Sequence, residues 1–361
     1  MVRVLVAEDS LTVRELLISI LESDPEIEVV GQAKNGLEAV EMTSQLGPDL
    51  ITMDVHMPVM DGFQATKEIM VHKPTPIIIV SSSSSGRDVT MSLNALRAGA
   101  LMVLEKPDDP GAAGFNGRQD RFLRMVKAMA DVKVVRRWGR SARLPGTLSP
   151  GPRLSDAVPP SVVAIAASTG GPAALQRILG DLPADFAPPL LIVQHIATGF
   201  TQGLADWLAA GSSLKIEVAR HKDPLAARTA LLAPDERHLA VEGRGAVAVL
   251  DSPPVGGFRP SASVLFESVA RTFGSSAVGV VLTGMGADGV QGLEALRASG
   301  GHVIAQDEGS SVVYGMPRAA VEAGVVDLVL PLDEIGGYLT SLVAPASATP
   351  SSPARPKRGT P

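Results

Sequence analysis

The chain of 361 residues has no cysteine, which removes disulfides, thiolate metal sites and a cysteine nucleophile from consideration. Phe, Trp and Tyr supply only 3% of it. Its cores must therefore be built from Val, Leu, Ile, Ala and Met, and ring platforms that stack single-stranded nucleic acid are not expected. Positive charge is also short: the formal net charge of −6 gives no drive toward phosphate backbones. No apolar run approaches the ~20 residues that a membrane helix requires. The N-terminus meets Glu8 too soon to hold the apolar region of a signal peptide. The expectation is a cytoplasmic protein with no nucleic-acid partner and no membrane insertion. What is present, 45% hydrophobic and 19% charged residues, is ordinary globular composition. The length suggests two domains at about 150 residues each.

Short β-branched runs alternate with amphipathic stretches over the first third of the chain. Residues 3–7, 28–31, 50–53, 77–80 and 101–104 read as strands, and 13–21, 37–44, 63–70, 89–98 and 121–134 as helices. Regular alternation implies a doubly wound parallel sheet. The runs at 50–53 and 77–80 are continuously apolar, as in strands covered on both faces. Arg136, Arg137, Arg140 and Arg143, followed by Pro145-Gly146 and Pro150-Gly151-Pro152, mark a basic linker. Alternation resumes at Val162 and lasts to Val343, and the Ser/Pro/Ala end has the composition of a disordered tail. The division is thus 1–125, a linking stretch over 126–160, a second domain over 161–345 and a tail over 346–361. The fold class is α/β twice: a flavodoxin-like first domain and a doubly wound, mostly parallel second one.

Glu8 and Asp9 end the first strand and Asp54 ends the third. Neighbouring strand ends would gather these acids at one edge, where Mg²⁺ bound through a few carboxylates is the natural neutraliser. Ser81 and Lys106 end the fourth and fifth strands. A hydroxyl and an ammonium facing a cation-loaded acid cluster are what a transferred phosphoryl group needs. The competing reading is a solvated acidic edge on an ordinary fold.

In the second half, three apolar runs each deliver one reactive side chain. Val162-Val163-Ala164-Ile165-Ala166 leads to Ser168, Leu190-Leu191-Ile192-Val193 to Gln194-His195, and Val278-Gly279-Val280-Val281-Leu282 to Asp288. A hydroxyl, an imidazole and a carboxylate are the parts of an acyl-transfer triad, and strand ends of an open parallel sheet converge on one crevice. Pro172 places a helix start just after Ser168, whose exposed N–H groups suit an oxyanion. Ser168 as a plain helix cap is the competing reading. His221, His238 and His302 lie in more polar settings and read as structural, with His238 near the rim of the cleft. Gly284-Met285-Gly286-Ala287-Asp288-Gly289 also spells a dinucleotide fingerprint, with Asp307 about 20 residues on. Against that reading, Asp288 would set a carboxylate where a pyrophosphate binds, and like charges repel.

Two resemblances sharpen these readings. Glu8-Asp9, Asp54 within Met53-Asp54-Val55-His56-Met57-Pro58, Ser81 and Lys106-Pro107 resemble the receiver domain of two-component response regulators. That implies phosphate transfer to Asp54 from a chemotaxis histidine kinase, Mg²⁺ held by Asp9, Asp54 and the carbonyl of His56 with Glu8 acting through water, and Ser81 and Lys106 as switch residues. Glu8 stands where Asp is commoner, and Val103 stands where many receivers carry an aromatic switch residue. Ala166-Ala167-Ser168-Thr169-Gly170-Gly171-Pro172, Gln194-His195, Pro260-Ser261-Ala262-Ser263-Val264-Leu265-Phe266, Leu282 to Gly289, Ala305-Gln306-Asp307-Glu308 and Tyr314-Gly315-Met316-Pro317 resemble the chemotaxis protein-glutamate methylesterases. That implies Ser168, His195 and Asp288 as catalytic residues and N–H groups of Thr169 and Met285 at the oxyanion, with no cofactor in that half. The substrates implied are γ-methyl esters, and often glutamines, on the cytoplasmic domains of methylated chemoreceptors.

Overall fold

Two parallel sheets, each wrapped by helices, form the framework of the residues that the computed structural model describes, namely 1–81, 86–107, 115–132, 134 and 159–343. The first domain runs β1 (Val2–Ala7), α1 (Leu11–Glu22), β2 (Ile27–Ala33), α2 (Gly36–Leu46), β3 (Leu50–Met53), α3 (Gly62–His72), β4 (Ile77–Ser81), α4 (Gly86–Ala98), β5 (Met102–Glu105) and α5 (Phe115–Ala130). Its strands lie in the order β2-β1-β3-β4-β5, every pair parallel. All five strands expected here form. The last helix begins and ends earlier than the apolar periodicity of 121–134 implies. The basic linker and the tail fall largely on 135–158 and 344–361, outside the described residues.

The second domain contains β6 (Val162–Ala167), α6 (Gly171–Asp181), β7 (Leu190–Gln194), α7 (Thr201–Ala209), β8 (Lys215–Val218), β9 (Thr229–Leu232), β10 (His238–Glu242), β11 (Ala246–Leu250), α8 (Ala262–Phe273), β12 (Ala277–Val281), α9 (Val290–Ala298), β13 (His302–Gln306), α10 (Met316–Glu322), β14 (Leu328–Leu330) and α11 (Leu332–Val343). Seven of these strands form one sheet in the order β14-β13-β12-β6-β7-β9-β8, and every pair is parallel. The antiparallel hairpin β10-β11 stands apart from it.

Strand order decides where ligands bind. The chain leaves β6 toward β7, β9 and β8, then returns to the other side of β6 as β12, β13 and β14. The order reverses between β6 and β12, and loops leaving adjacent strands in opposite directions open a crevice beyond their carboxyl ends. β6, β7 and β12 are buried along their whole lengths, which fits helices on both faces. Leu175, Ile178, Leu204 and Leu339 pack on one face; Leu265, Phe266, Val269 and Leu293 pack on the other.

The core on the α6–α7 face is continuous with that of the first domain, because α4 lies across α6 and α7. Val89 packs so closely on Gly203 that a Cβ there would sit 2.2 Å from its Cγ1. The Trp207 indole donates to Asn94 Oδ1 at 3.3 Å. A cavity of about 180 Å³ between the domains is lined by Met70, Leu96 and Val134 on one side and by Gly170, Pro172 and Val312 on the other.

The α8–α9 crossing depends on Gly292, where a Cβ would meet the Ser263 carbonyl at 2.5 Å and Phe266 Cβ at 2.7 Å. Helix propensity alone favours Ala at such a site by about 1 kcal/mol. Overpacking costs typically 1–3 kcal/mol, and here the clash is with backbone. Gly292→Ala is therefore expected to lower the thermal midpoint, and a rise in calorimetry would show that the crossing has slack.

Candidate active site

β6 ends between β7 and β12, and three short ties hold the loops there. The Ser168 N–H donates to the Thr283 carbonyl at 3.0 Å, and the His195 N–H to the Ala167 carbonyl at 2.9 Å. The Gln194 amide NH₂ donates to the carbonyls of both Ser168 and His195, each at 2.8 Å. Gln194 is buried, so this side chain staples the hydroxyl-bearing turn to the imidazole-bearing one. Sequence reasoning passed over it as a companion of His195.

Ser168 is not the cap of α6. That position belongs to Gly170, and Pro172 occupies the first turn. The hydroxyl sits on the turn just before the helix, near the positive end of its dipole. Among the described residues, the N–H groups of Thr169 and Met285 donate to no protein acceptor. They are available to an anion.

His195 and Asp288 meet: Nε2 lies 3.0 Å from Oδ2, with both side chains almost fully buried. The carboxylate is held on its other sides by the Ser261 hydroxyl at 2.7 Å and the Ala262 N–H at 2.7 Å. It therefore caps α8, whose own N-cap, Ser261, makes no side-chain cap bond. Burial pushes the Asp288 carboxyl up, but the His195 ring, the Ala262 N–H and the Ser261 hydroxyl outweigh it and leave it below the ordinary carboxylate range. Neither ring nitrogen of His195 has a well-aligned hydrogen-bond partner, so no bond joins Nδ1 to the Ser168 hydroxyl. Such contacts are often loose before substrate arrives. The face of the ring stacks on Phe258, with centroids 4.5 Å apart and planes 13° from parallel.

The other histidines stand elsewhere. His238 lies fully buried on β10 rather than at the rim. Its Nδ1 accepts from the Ser261 N–H at 3.1 Å, and Nε2 faces the Pro253 carbonyl at 3.1 Å. It thereby supports the residue that supports Asp288. His302 bonds Asp327 and the Tyr338 hydroxyl on the far edge. Close approach explains Gly284, where a Cβ would lie 2.7 Å from Ser168 Cβ, and left-handed backbone explains Gly286 and Gly289, with φ of +89° and +100°. With Asp288 committed to His195, nothing there resembles a pyrophosphate cradle.

The first domain gathers its acids as expected. Carboxylate oxygens of Glu8, Asp9 and Asp54 lie within 4.8 Å of one another. Lys106 Nζ reaches Glu8 at 2.9 Å and Asp54 at 3.1 Å. Burial, then the Asp54 charge, push the Glu8 carboxyl up against the pull of Lys106. Burial likewise pushes Asp54 up against Lys106. Lys106 is lowered by its burial but raised more by Asp54 and Glu8. Three acids facing one ammonium suit a hard divalent cation. His56 is exposed, with Ser81 buried at the end of β4.

Comparison with known proteins agrees with this architecture. The response regulator receiver domain model matches residues 4–112, and the CheB methylesterase model matches 163–339. The chain is 50% identical over 340 residues to protein-glutamate methylesterase/protein-glutamine glutaminase 4 of Myxococcus xanthus, covering 94% of this chain and 96% of that one. It is 52% identical over 341 residues to number 3 of Anaeromyxobacter dehalogenans, covering 94% and 98%. The crystal structure of the Thermotoga maritima CheB methylesterase catalytic domain is 34% identical, with a TM-score of 0.50, and covers 52% of this chain and 100% of that one. A receiver domain followed by a catalytic domain of this kind, matched across almost the full length of curated relatives, places the chain in the family of protein-glutamate methylesterases/protein-glutamine glutaminases.

Proposed function

We propose that this enzyme hydrolyses glutamate γ-methyl esters, and deamidates glutamines, on the cytoplasmic domains of methylated chemoreceptors through Ser168, His195 and Asp288. The reading rests on one observation above the rest: the His195 ring is fixed against a buried, capped carboxylate at the strand ends that also carry Ser168. A carboxylate only accepts, so the ring's proton sits on Nε2 and Nδ1 carries the lone pair. Ser168 Oγ attacks the side-chain carbonyl as Nδ1 takes its proton. The tetrahedral oxyanion is met by the N–H groups of Thr169 and Met285, each donor of this kind typically contributing about 2.7–4 kcal/mol. As the C–O bond breaks, His195 returns the proton to the leaving methoxide, giving methanol, or for an amide to the leaving nitrogen, giving ammonia. Water activated by the same nitrogen then releases the glutamate. Ser168→Ala is expected to abolish methanol release from methylated receptor membranes with the circular dichroism spectrum retained. Substantial remaining turnover would move the nucleophile elsewhere.

Control is assigned to the first domain. α4 covers α6 and α7, and the cavity between the domains reaches Gly170, two residues from Ser168. In that position the first domain obstructs a protein substrate. Phosphate from a chemotaxis histidine kinase on Asp54 adds about −1.5 to −2 charges, enough to bias an interface of modest size. Gly203→Leu forces a side chain into Val89 and is expected to raise basal methanol release several-fold. Acetyl phosphate should activate the parent protein but not Asp54→Asn. Equal rates for all would reject autoinhibition.

Mg²⁺ held by Asp9, Asp54 and the His56 carbonyl, with Glu8 behind, supplies charge neutralisation for the phosphoryl oxygens when bound. A folded-state pKa raised above the unfolded one means that Asp54 stabilises the fold when protonated. That contribution is lost as pH rises through the raised value. Without Mg²⁺ at pH 7.5, Asp54→Asn is therefore expected to melt above the parent protein. Mg²⁺ should raise the parent's midpoint and barely move the variant's. A variant that melts lower would show that the Lys106 ion pair dominates.

A further inference from the structure

Besides Asp288, one other side chain holds the His195 ring by direct contact along its face, and it arrives from a part of the chain that carries none of the triad. Val255 and Phe258 exchange both backbone hydrogen bonds at 3.0 Å around Gly256-Gly257. The two glycines have φ of +60° and +85°, the left-handed pair that a tight two-residue hairpin demands. A Cβ at either would meet nothing within 4 Å, so glycine serves the turn and not the space around it. The next residue, Arg259, anchors the hairpin: its guanidinium donates to the Ser252 carbonyl at 3.4 Å and to Glu236 at 3.2 Å.

This short, braced hairpin lays Phe258 against His195 at 4.5 Å and 13°. The far tip of the same ring reaches the oxyanion turn, where Phe258 Cζ lies 3.9 Å from the place a Cβ would occupy at Gly286. One ring thus contacts the base and lies beside the loop that carries the Met285 N–H. Asp288 fixes one edge of the imidazole but leaves it free to pivot about the Nε2–Oδ2 axis, and a flat ring on its face removes that pivot. The negative face of an aromatic ring also favours a cation above it, and His195 becomes an imidazolium when it takes the Ser168 proton. The charged group paired with the ring is Asp288 from the β12–α9 turn, while Arg259, next to Phe258 in the hairpin, is itself paired with Glu236 and Asp251.

We propose that Phe258 is a positioning residue for the esterase reaction, holding the plane of His195 and stabilising its protonated form. The proposal rests on the Ser168–His195–Asp288 reading. Its test uses the full chain with Phe258→Leu and Phe258→Tyr, methanol release from methylated receptor membranes across pH, and NMR of the His195 ring protons. With an aromatic pair worth about 0.5–1.5 kcal/mol, Phe258→Leu is expected to lower kcat roughly three- to tenfold, with KM within about twofold. The acid limb of the pH–rate profile should move to lower pH, the His195 protons should lose their upfield ring-current shift, and Phe258→Tyr should restore all three. An unchanged kcat with an unmoved acid limb overturns the proposal, and so does a rise in KM alone, which would make Phe258 a substrate contact. If the parent protein released no methanol, the esterase reading would fail on its own account. The NMR shift of the His195 ring protons would still decide whether the stack holds the ring.

Discussion

The fold of the second domain and its chemistry meet in one carboxylate. Asp288 receives the first N–H of α8, the Ser261 hydroxyl and the edge of His195. An ionised carboxyl this deeply buried is costly unless its oxygens are satisfied, and these donors satisfy them, with the outcome that it stays ionised. The same contacts join the turn after β12 to the start of α8 and to the loop after β7. The residue that pairs with His195 is thus also a structural pin, and the two roles are not separable by removing it. Ser261 is pinned in turn by His238, so the orientation of the imidazole is set three residues deep into the core.

Gln194 and Gln306 play matching parts on the two sides of β6. Gln194 bridges the carbonyls after β6 and β7, and Gln306 at the end of β13 accepts from the Thr283 N–H at 2.8 Å while donating to the Ser310 carbonyl. Loops beyond the ends of a parallel sheet leave backbone groups that no ladder satisfies. Buried amides, with a donor and an acceptor on one side chain, close those gaps and stiffen the crevice sideways. The first domain handles its crevice differently, with Lys106 spanning Glu8 and Asp54. That cluster is left with excess negative charge, which suits a divalent cation.

Much of this was legible in the sequence because it follows from short-range pattern. Apolar runs of four to six residues marked the first sheet and the three central strands β6, β7 and β12 of the second, and the loops that follow them carry Ser168, His195 and Asp288 as well as the acid cluster. The misses share a physical cause. The hairpin β10-β11 and the 255–258 turn lie in the chain between strands of the main sheet, and the strand–helix alternation of 162–343 does not single them out. Ser261, Gln194 and His238 act as hydrogen-bond partners of buried groups, and such partners are fixed by tertiary proximity, not by spacing. Phe258 had only its rarity to mark it, one of eight phenylalanines in an aromatic-poor chain. The GxGxxG spelling misleads for a related reason, since close approach to Ser168 demands glycine at 284 as firmly as a phosphate would.

Strand order also explains why the triad runs Ser, His, Asp along the chain. β6 is first in the domain and ends up between β7 and β12, so Ser168 follows the middle strand, with His195 arriving from one flank and Asp288 from the other. The sequence order of such residues is then a record of which flank the chain visits first. What the chemistry fixes is the middle position of the hydroxyl and the presentation of one ring nitrogen to each neighbour. Here the Nε2 edge is taken by Asp288 and one face by Phe258, leaving Nδ1 as the nitrogen available to the proposed proton transfer. In the proposed reaction, a ring so constrained serves as base in a single orientation.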